Sequence, residues 1–126
     1  MTFNIDKLQR LAEFAEATSL WRPADVTQEP ETHLQQWQVY QVWANASSPK
    51  DSIHFVGHTG GYHGEGRVTS AVQTYDKERH RGVTKSGRVY ELVGHSGHNR
   101  DADYVWNRWL GMMGDPEFTE VTNQYE

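Results

Sequence analysis

The chain has 126 residues, 36% hydrophobic and 12% aromatic, with a formal net charge of −5 at neutral pH. This length predicts a single domain over residues 1–126. The five tryptophans provide enough apolar surface for a small core, which argues against a disordered chain. The absence of cysteine excludes disulfides, thiol nucleophiles and cysteine-ligated metal sites.

The first segment reads as an amphipathic helix, because apolar residues from Ile5 to Ala15 recur at helical spacing. Pro23 and Pro30 break any period over residues 22–33, which predicts a connector. No secretory signal pattern and no apolar run of membrane-spanning length is visible. We therefore expect a cytoplasmic protein that does not contact a membrane.

Five segments with strand character follow, separated by turn residues. They are residues 34–43, 52–57, 67–75, 81–84 and 88–93. Because short turns join consecutive strands, we expect an antiparallel meander in chain order, either open or curled into a half-open barrel. Alternation in the first strand places Trp37 and Val39 on one face and Tyr40 and Val42 on the other.

A second helix is predicted near the end of the chain, where a full apolar stripe runs from Ala102 to Met113 and Asn99 or Asp101 can cap it. Residues 115–126 are polar and acidic, and we expect a frayed tail. The predicted fold class is α+β: an N-terminal helix, a five-stranded antiparallel meander and a C-terminal helix packed on the sheet.

Three stretches carry a resemblance: GRVTS at 66–70, GVTKSGRVYELVG at 82–94 and DADYVW at 101–106. Over residues 55–110 the chain resembles small uncharacterised bacterial proteins carried on mobile genetic elements as integron gene cassettes. The resemblance implies a shared fold. It implies no activity, cofactor or residue role.

Two glycine-rich loops, 57–66 and 94–100, hold four of the seven histidines. These are His58, His63, His95 and His98. If the sheet curls enough for the loops to meet, they can bind zinc, iron or nickel, with Glu65 as a base. The favoured interpretation is that they are exposed loop histidines. His54, on the preceding strand, is expected to point elsewhere.

A basic hairpin spans residues 77–88. Its cations are Lys77, Arg79, Arg81, Lys85 and Arg88. It can approach a phosphate backbone, but edge strands often carry such cations and a net acidic protein repels nucleic acid. Nucleic-acid binding is therefore the less favoured interpretation. Serine hydrolase chemistry is also disfavoured, because Ser70, Ser86 and Ser96 lack a nucleophile-elbow pattern.

The sequence favours a non-catalytic module that binds a small ligand or a protein and needs no cofactor. The candidate binding residues are His58, Tyr62, His63, Glu65, His95, His98 and Tyr40. Tyr40 is included because two helices cannot cover both faces of five strands, so its face is expected to line a groove or a homodimer contact. A homodimer is expected, one that buries part of the uncovered sheet face or an edge strand. The alternatives are a small metal-dependent enzyme using the histidine loops, and nucleic-acid binding through residues 77–88.

Overall fold

The computed structural model describes residues 30, 32–46 and 48–126, and the predicted N-terminal helix lies outside them. The elements of this part of the chain are β1 (Thr32–Val42), β2 (Ser52–His58), β3 (Gly66–Val68), β4 (Val72–Asp76), β5 (Arg81–Thr84), β6 (Val89–Val93), α1 (Arg100–Met112), β7 (Phe118–Glu120) and a 3₁₀ turn (Thr122–Gln124). Across this part of the chain, no helix combines the length and the apolar character needed to cross a membrane.

The sheet is mixed, so the predicted five-stranded antiparallel meander is wrong. Its seven strands follow the order β3-β2-β1-β6-β5-β4, with β7 paired to β1 off this path. β1 and β6 pair in parallel, with Thr32 opposite Tyr90 and Gln35 opposite Val93. This pairing joins the first and fifth predicted strands. Short turns do not predict this pairing, because no turn connects the two strands.

A bend divides the predicted third strand into β3 and β4. β3 pairs with β2, whereas β4 pairs with β5 on the other end of the sheet. At the bend, the Thr69 amide donates to the Phe55 carbonyl (3.0 Å) and the Lys85 amide donates to the Ala71 carbonyl (2.8 Å). Because the two ends of the sheet are joined by only three residues, the sheet curls back on itself.

Strict alternation fails near the start of β1. The register with β2 shifts between Gln35 and Gln38, and Gln36 has a positive φ of 47°. This bulge places Leu34 and Trp37, three residues apart, in the same core.

Two hydrophobic clusters lie on opposite faces of the curled sheet. The inner cluster comprises Leu34, Trp37, Val39, Phe55, Tyr90, Leu92 and Val121. The outer cluster comprises Tyr40, Val42, Val56, Ala102, Trp106, Trp109 and Leu110. Helix α1 therefore covers the face that we expected to be open, and Tyr40 stacks on Trp106 with ring centroids 4.4 Å apart.

Residues 115–126 do not form the expected frayed tail, and α1 is not the last element. β7 pairs antiparallel with Tyr40–Val42 of β1. After it, Val121 is buried, and the Thr122 hydroxyl accepts the Val39 amide at 3.0 Å. The Tyr75 hydroxyl donates to the Tyr125 carbonyl at 2.6 Å. One strand pairing, one buried apolar side chain and two hydrogen bonds between a side chain and the backbone thus hold a segment of otherwise polar composition.

Candidate functional site

Both glycine-rich loops approach the start of α1, but each of two histidines meets its own aspartate there. His58 Nε2 lies 3.7 Å from an Asp101 carboxylate oxygen, and His58 Nδ1 accepts the Gly60 amide at 2.9 Å. His98 Nδ1 lies 3.2 Å from an Asp103 carboxylate oxygen. These are two separate histidine–carboxylate pairs.

The other predicted loop residues lie elsewhere. His63 and Glu65 line an open polar groove with Arg67, and Glu65 accepts from the Arg67 guanidinium at 2.6 Å. Tyr62 is 96% exposed and meets His63 edge-on, and His95 is exposed. Within the described ranges, no group of three or more metal-ligating side chains comes together. The structure does not bring the four predicted ligands to one place.

Tyr40 belongs to a polar network that runs from the buried Gln38 to the exposed His98 and Glu120, rather than to an open face. Its hydroxyl donates to Gln38 Oε1 at 3.0 Å, and Gln38 Nε2 lies 3.1 Å from both a Glu120 carboxylate oxygen and His98 Nε2. Burial, with the charges of Glu120 and Asp103, raises the pKa of Tyr40 to about 12. The network connects β1, β7 and the loop before α1, so Tyr40 and His98 have partners within the fold.

The basic hairpin does not present one cationic patch. Arg79 pairs with Asp76 at 2.9 Å, and Arg81 pairs with Glu91 at 2.9 Å. Lys77 lies in the turn before β5. Lys85 and Arg88 lie in the turn after β5, at the opposite end of that strand. Paired and divided in this way, the hairpin gives little support to nucleic-acid binding.

A cleft that the sequence did not indicate lies where the end of β1, the start of β2 and the end of α1 meet. It is lined by Val42, Asn45, Ser48, Ser52, His54, Trp109, Met113 and Pro116. Its cavity volume is about 20 Å³. No lining side chain carries a formal charge when His54 is neutral.

Ser52 and His54 form a connected chain of hydrogen bonds in this cleft. His54 Nδ1 lies 2.7 Å from the Thr69 carbonyl oxygen, which only accepts, so Nδ1 carries the proton. Nε2 is therefore the acceptor, and the Ser52 hydroxyl donates to it at 2.7 Å. The bend between β3 and β4 thus fixes the tautomer of His54, because it turns the Thr69 carbonyl towards the ring.

His54 is 1% exposed, and its ring lies 4.7 Å from that of Trp109. Burial disfavours the imidazolium and lowers the pKa of His54 from 6.5 to about 4, against the opposing effect of the bond to Thr69. The imidazole is therefore neutral at physiological pH.

This shift predicts a loss of stability in mild acid. Between pH 6.5 and about 4 the unfolded chain binds a proton at His54 that the folded chain does not, so the unfolding free energy falls as pH falls. We expect His54 alone to account for a loss of about 3 kcal/mol across this range. Urea denaturation at stepped pH measures it. An NMR titration showing the His54 ring protonating near pH 6.5 would contradict the prediction.

Trp109 supplies an unusual feature of the same cleft. The residue is 5% exposed, and its indole Nε1 is buried without a hydrogen-bond partner, the one such side-chain atom in the described part of the chain. A buried donor left unpaired costs about 1–3 kcal/mol. The indole groups of Trp37 and Trp43, in contrast, donate to Gly94 and Thr119.

The sequence does not point to these residues as a site, because it predicts His54 on a strand, apart from the loop histidines. The available signal was the alternation of Ser52, His54 and Val56, which puts a hydroxyl and an imidazole on one face of β2. That this face meets Trp109 depends on how α1 crosses the sheet, and no local pattern gives that.

No family model, curated protein or solved structure matches the chain. The resemblance to integron cassette proteins therefore stays a prediction.

Proposed function

We propose that this protein is a small-ligand binding domain that holds a neutral polar group in the cleft beside His54 and Trp109. The observation that carries the proposal is the buried Trp109 Nε1–H without an acceptor. Native proteins rarely leave such a donor unpaired, and an incoming oxygen atom is the natural partner. We also propose that the protein acts in the cytoplasm, as expected from the sequence.

The chemistry of the lining supports a neutral ligand. No cation is present to balance an anion, and no carboxylate to balance a cation. Ser52 uses its proton towards His54, so its oxygen keeps lone pairs that can accept a hydrogen bond. In the proposed complex, Trp109 therefore supplies the donor and Ser52 the acceptor. An alcohol, a primary amide or water matches both groups, and a ketone or an ester matches the donor.

The size of the cleft limits what enters. The 20 Å³ open to a water-sized sphere holds about one water, or the carbonyl or hydroxyl end of a larger molecule. We expect acetamide, with its four non-hydrogen atoms, to bind with a Kd no tighter than about 40 μM, because even very efficient tiny ligands gain at most about 1.5 kcal/mol per non-hydrogen atom, or about 6 kcal/mol in all.

Titration with acetamide tests the proposal. The indole N–H resonance of Trp109 is expected to shift and saturate, because the amide oxygen supplies its missing acceptor. The indole resonances of Trp37 and Trp43 serve as internal controls, since both N–H groups already donate. Acetate is expected to bind more weakly than acetamide, because its charge must be desolvated without a counter-ion.

A matched variant isolates the donor. Trp109→Phe keeps an aromatic ring against His54 but removes the N–H, and it is expected to weaken acetamide binding about tenfold, the value of one hydrogen bond. Because this variant has no indole N–H at position 109, saturation is followed in both proteins at the backbone amide resonance of Ser52, which lines the cleft. Saturation curves that are equal for acetamide and acetate, or unchanged in Trp109→Phe, would overturn the proposal.

We also infer that the expected homodimer forms through β7, since α1 buries the face around Tyr40. The Trp43 amide donates to Glu117 and the Val121 amide donates to Val39. By the alternation of an antiparallel ladder, the backbone groups of Thr119 then face β1, and those of its two neighbours in the strand face outward. Two copies of this edge can pair antiparallel about a twofold axis.

Light scattering over a range of concentrations tests the dimer, with a mass that rises from 14.5 kDa towards twice that value. Amide hydrogen exchange locates the contact: Phe118 and Glu120 are expected to gain protection with concentration, while Thr119 is protected throughout. A constant monomer mass, or unchanged exchange at both outward amides, would contradict this arrangement.

A further inference from the structure

We propose that Ser52 is a nucleophile that attacks activated esters entering the cleft and becomes acylated. This inference rests on the proposed function, because the ester carbonyl must occupy the same neutral site. It would make the protein reactive towards acyl donors as well as a binder of them.

The hydrogen bonds around His54 have the arrangement that activates a serine. The Ser52 hydroxyl donates to His54 Nε2 at 2.7 Å, and His54 Nδ1 donates to the Thr69 carbonyl at 2.7 Å. Serine nucleophiles are activated by an adjacent imidazole that a third group orients. Here a backbone carbonyl is the orienting group, and the burial of His54 keeps its ring fixed.

The acylation step balances within the cleft. Ser52 Oγ forms a bond to the ester carbonyl carbon while its proton passes to His54 Nε2. The bond to the leaving alcohol then breaks, and that alcohol departs with the proton from Nε2. The carbonyl oxygen carries negative charge between the two steps. Trp109 lines the same cleft and its buried N–H has no acceptor within the described residues, so we assign to it the stabilisation of this charge.

The same environment slows the reaction that would release the acyl group. The Thr69 carbonyl supplies only a dipole, where a carboxylate would stabilise an imidazolium with a full charge. Burial lowers the pKa of His54 to about 4, and a weaker base assists proton transfer less. We therefore expect reaction with activated esters only, and an acyl-serine that accumulates because water attacks it slowly.

Reaction with p-nitrophenyl acetate at neutral pH provides the test. We expect a burst of p-nitrophenolate that approaches one equivalent per chain, followed by slow release, with the acetyl group mapped to Ser52 by mass spectrometry. Ser52→Ala is expected to remove the burst. Ser86→Ala is the matched control, since Ser86 is exposed on the β5–β6 turn and its hydroxyl contacts Thr84 rather than an imidazole.

Rates measured in the unaltered protein keep the proposal falsifiable even if the Ser52→Ala variant fails to fold. Ser52 is expected to be acetylated at least about 100-fold faster than Ser86, the lower range of general-base assistance. Equal rates, or an unchanged burst in Ser52→Ala, would overturn the proposal. If acetamide shifts the Trp109 resonance but Ser52 is not acetylated, the proposal that Ser52 is a nucleophile is overturned and the proposed binding site is retained. If neither result is observed, both proposals are overturned.

Discussion

Replacing Trp106 with alanine is expected to lower the free energy of unfolding by about 3–5 kcal/mol. Trp106 is 4% exposed and sits between two stacked rings, with centroids 4.4 Å from Tyr40 and 5.3 Å from Trp109. The substitution removes this apolar surface and leaves a cavity between α1 and the sheet. Because small domains are stable by only about 5–15 kcal/mol, the loss threatens folding itself.

Asn107→Ala is the control for this experiment, since Asn107 is exposed on the opposite face of α1. We expect its effect to stay within about 0.5 kcal/mol. Chemical denaturation of the two variants beside the parent gives the comparison. Equal midpoints for both variants would show that the stripe of α1 does not bury Trp106.

Gly66→Ala is also expected to destabilise the fold, through excess volume rather than a cavity. A Cβ at Gly66 would clash with the Asp101 carbonyl oxygen, where β3 passes under the start of α1. Both sides of this contact are backbone, so the strand or the helix must move. Overpacking of this kind costs about 1–3 kcal/mol and sometimes more.

Gly111→Ala provides a contrast of opposite sign. Gly111 lies in the exposed part of α1, and a Cβ there would meet nothing within 4 Å. Alanine is expected to stabilise this position by about 0.5–1 kcal/mol through its higher helix propensity. Thermal denaturation of both glycine variants measures the difference. A Gly66→Ala protein as stable as the parent would mean that β3 and α1 are not in contact.

Local sequence patterns predict where the helix and the strands lie better than they predict how the strands pair. The stripe from Ala102 to Met113 and the alternation in β2 and β6 arise from neighbouring residues, and the sequence displays them directly. The bulge at Gln36 has no glycine to mark it. The parallel pairing of β1 with β6 depends on closure of the whole sheet, which the sequence displays nowhere.

The candidate site has no local signature in the sequence either. The clustered histidines predict a site in the glycine-rich loops, where the imidazoles are close in sequence but meet different aspartates in space. The cleft instead combines Ser52 and His54 with Thr69 and Trp109, from three separate parts of the chain. Buried polar groups that face one another across a fold leave no spacing signature in one sequence.

The position of β7 has a consequence for synthesis on the ribosome. β1 is the first of the described strands to be synthesised. One side of its Tyr40–Val42 segment nevertheless has no partner until Phe118–Glu120 has been made. Until then the Val39 amide lacks the Thr122 hydroxyl, and Gln38 lacks Glu120. Contacts of such long sequence separation slow folding. The part of the fold described here is therefore complete only after β7 leaves the exit tunnel, and until that moment the Tyr40–Val42 segment of β1 presents an unpaired edge.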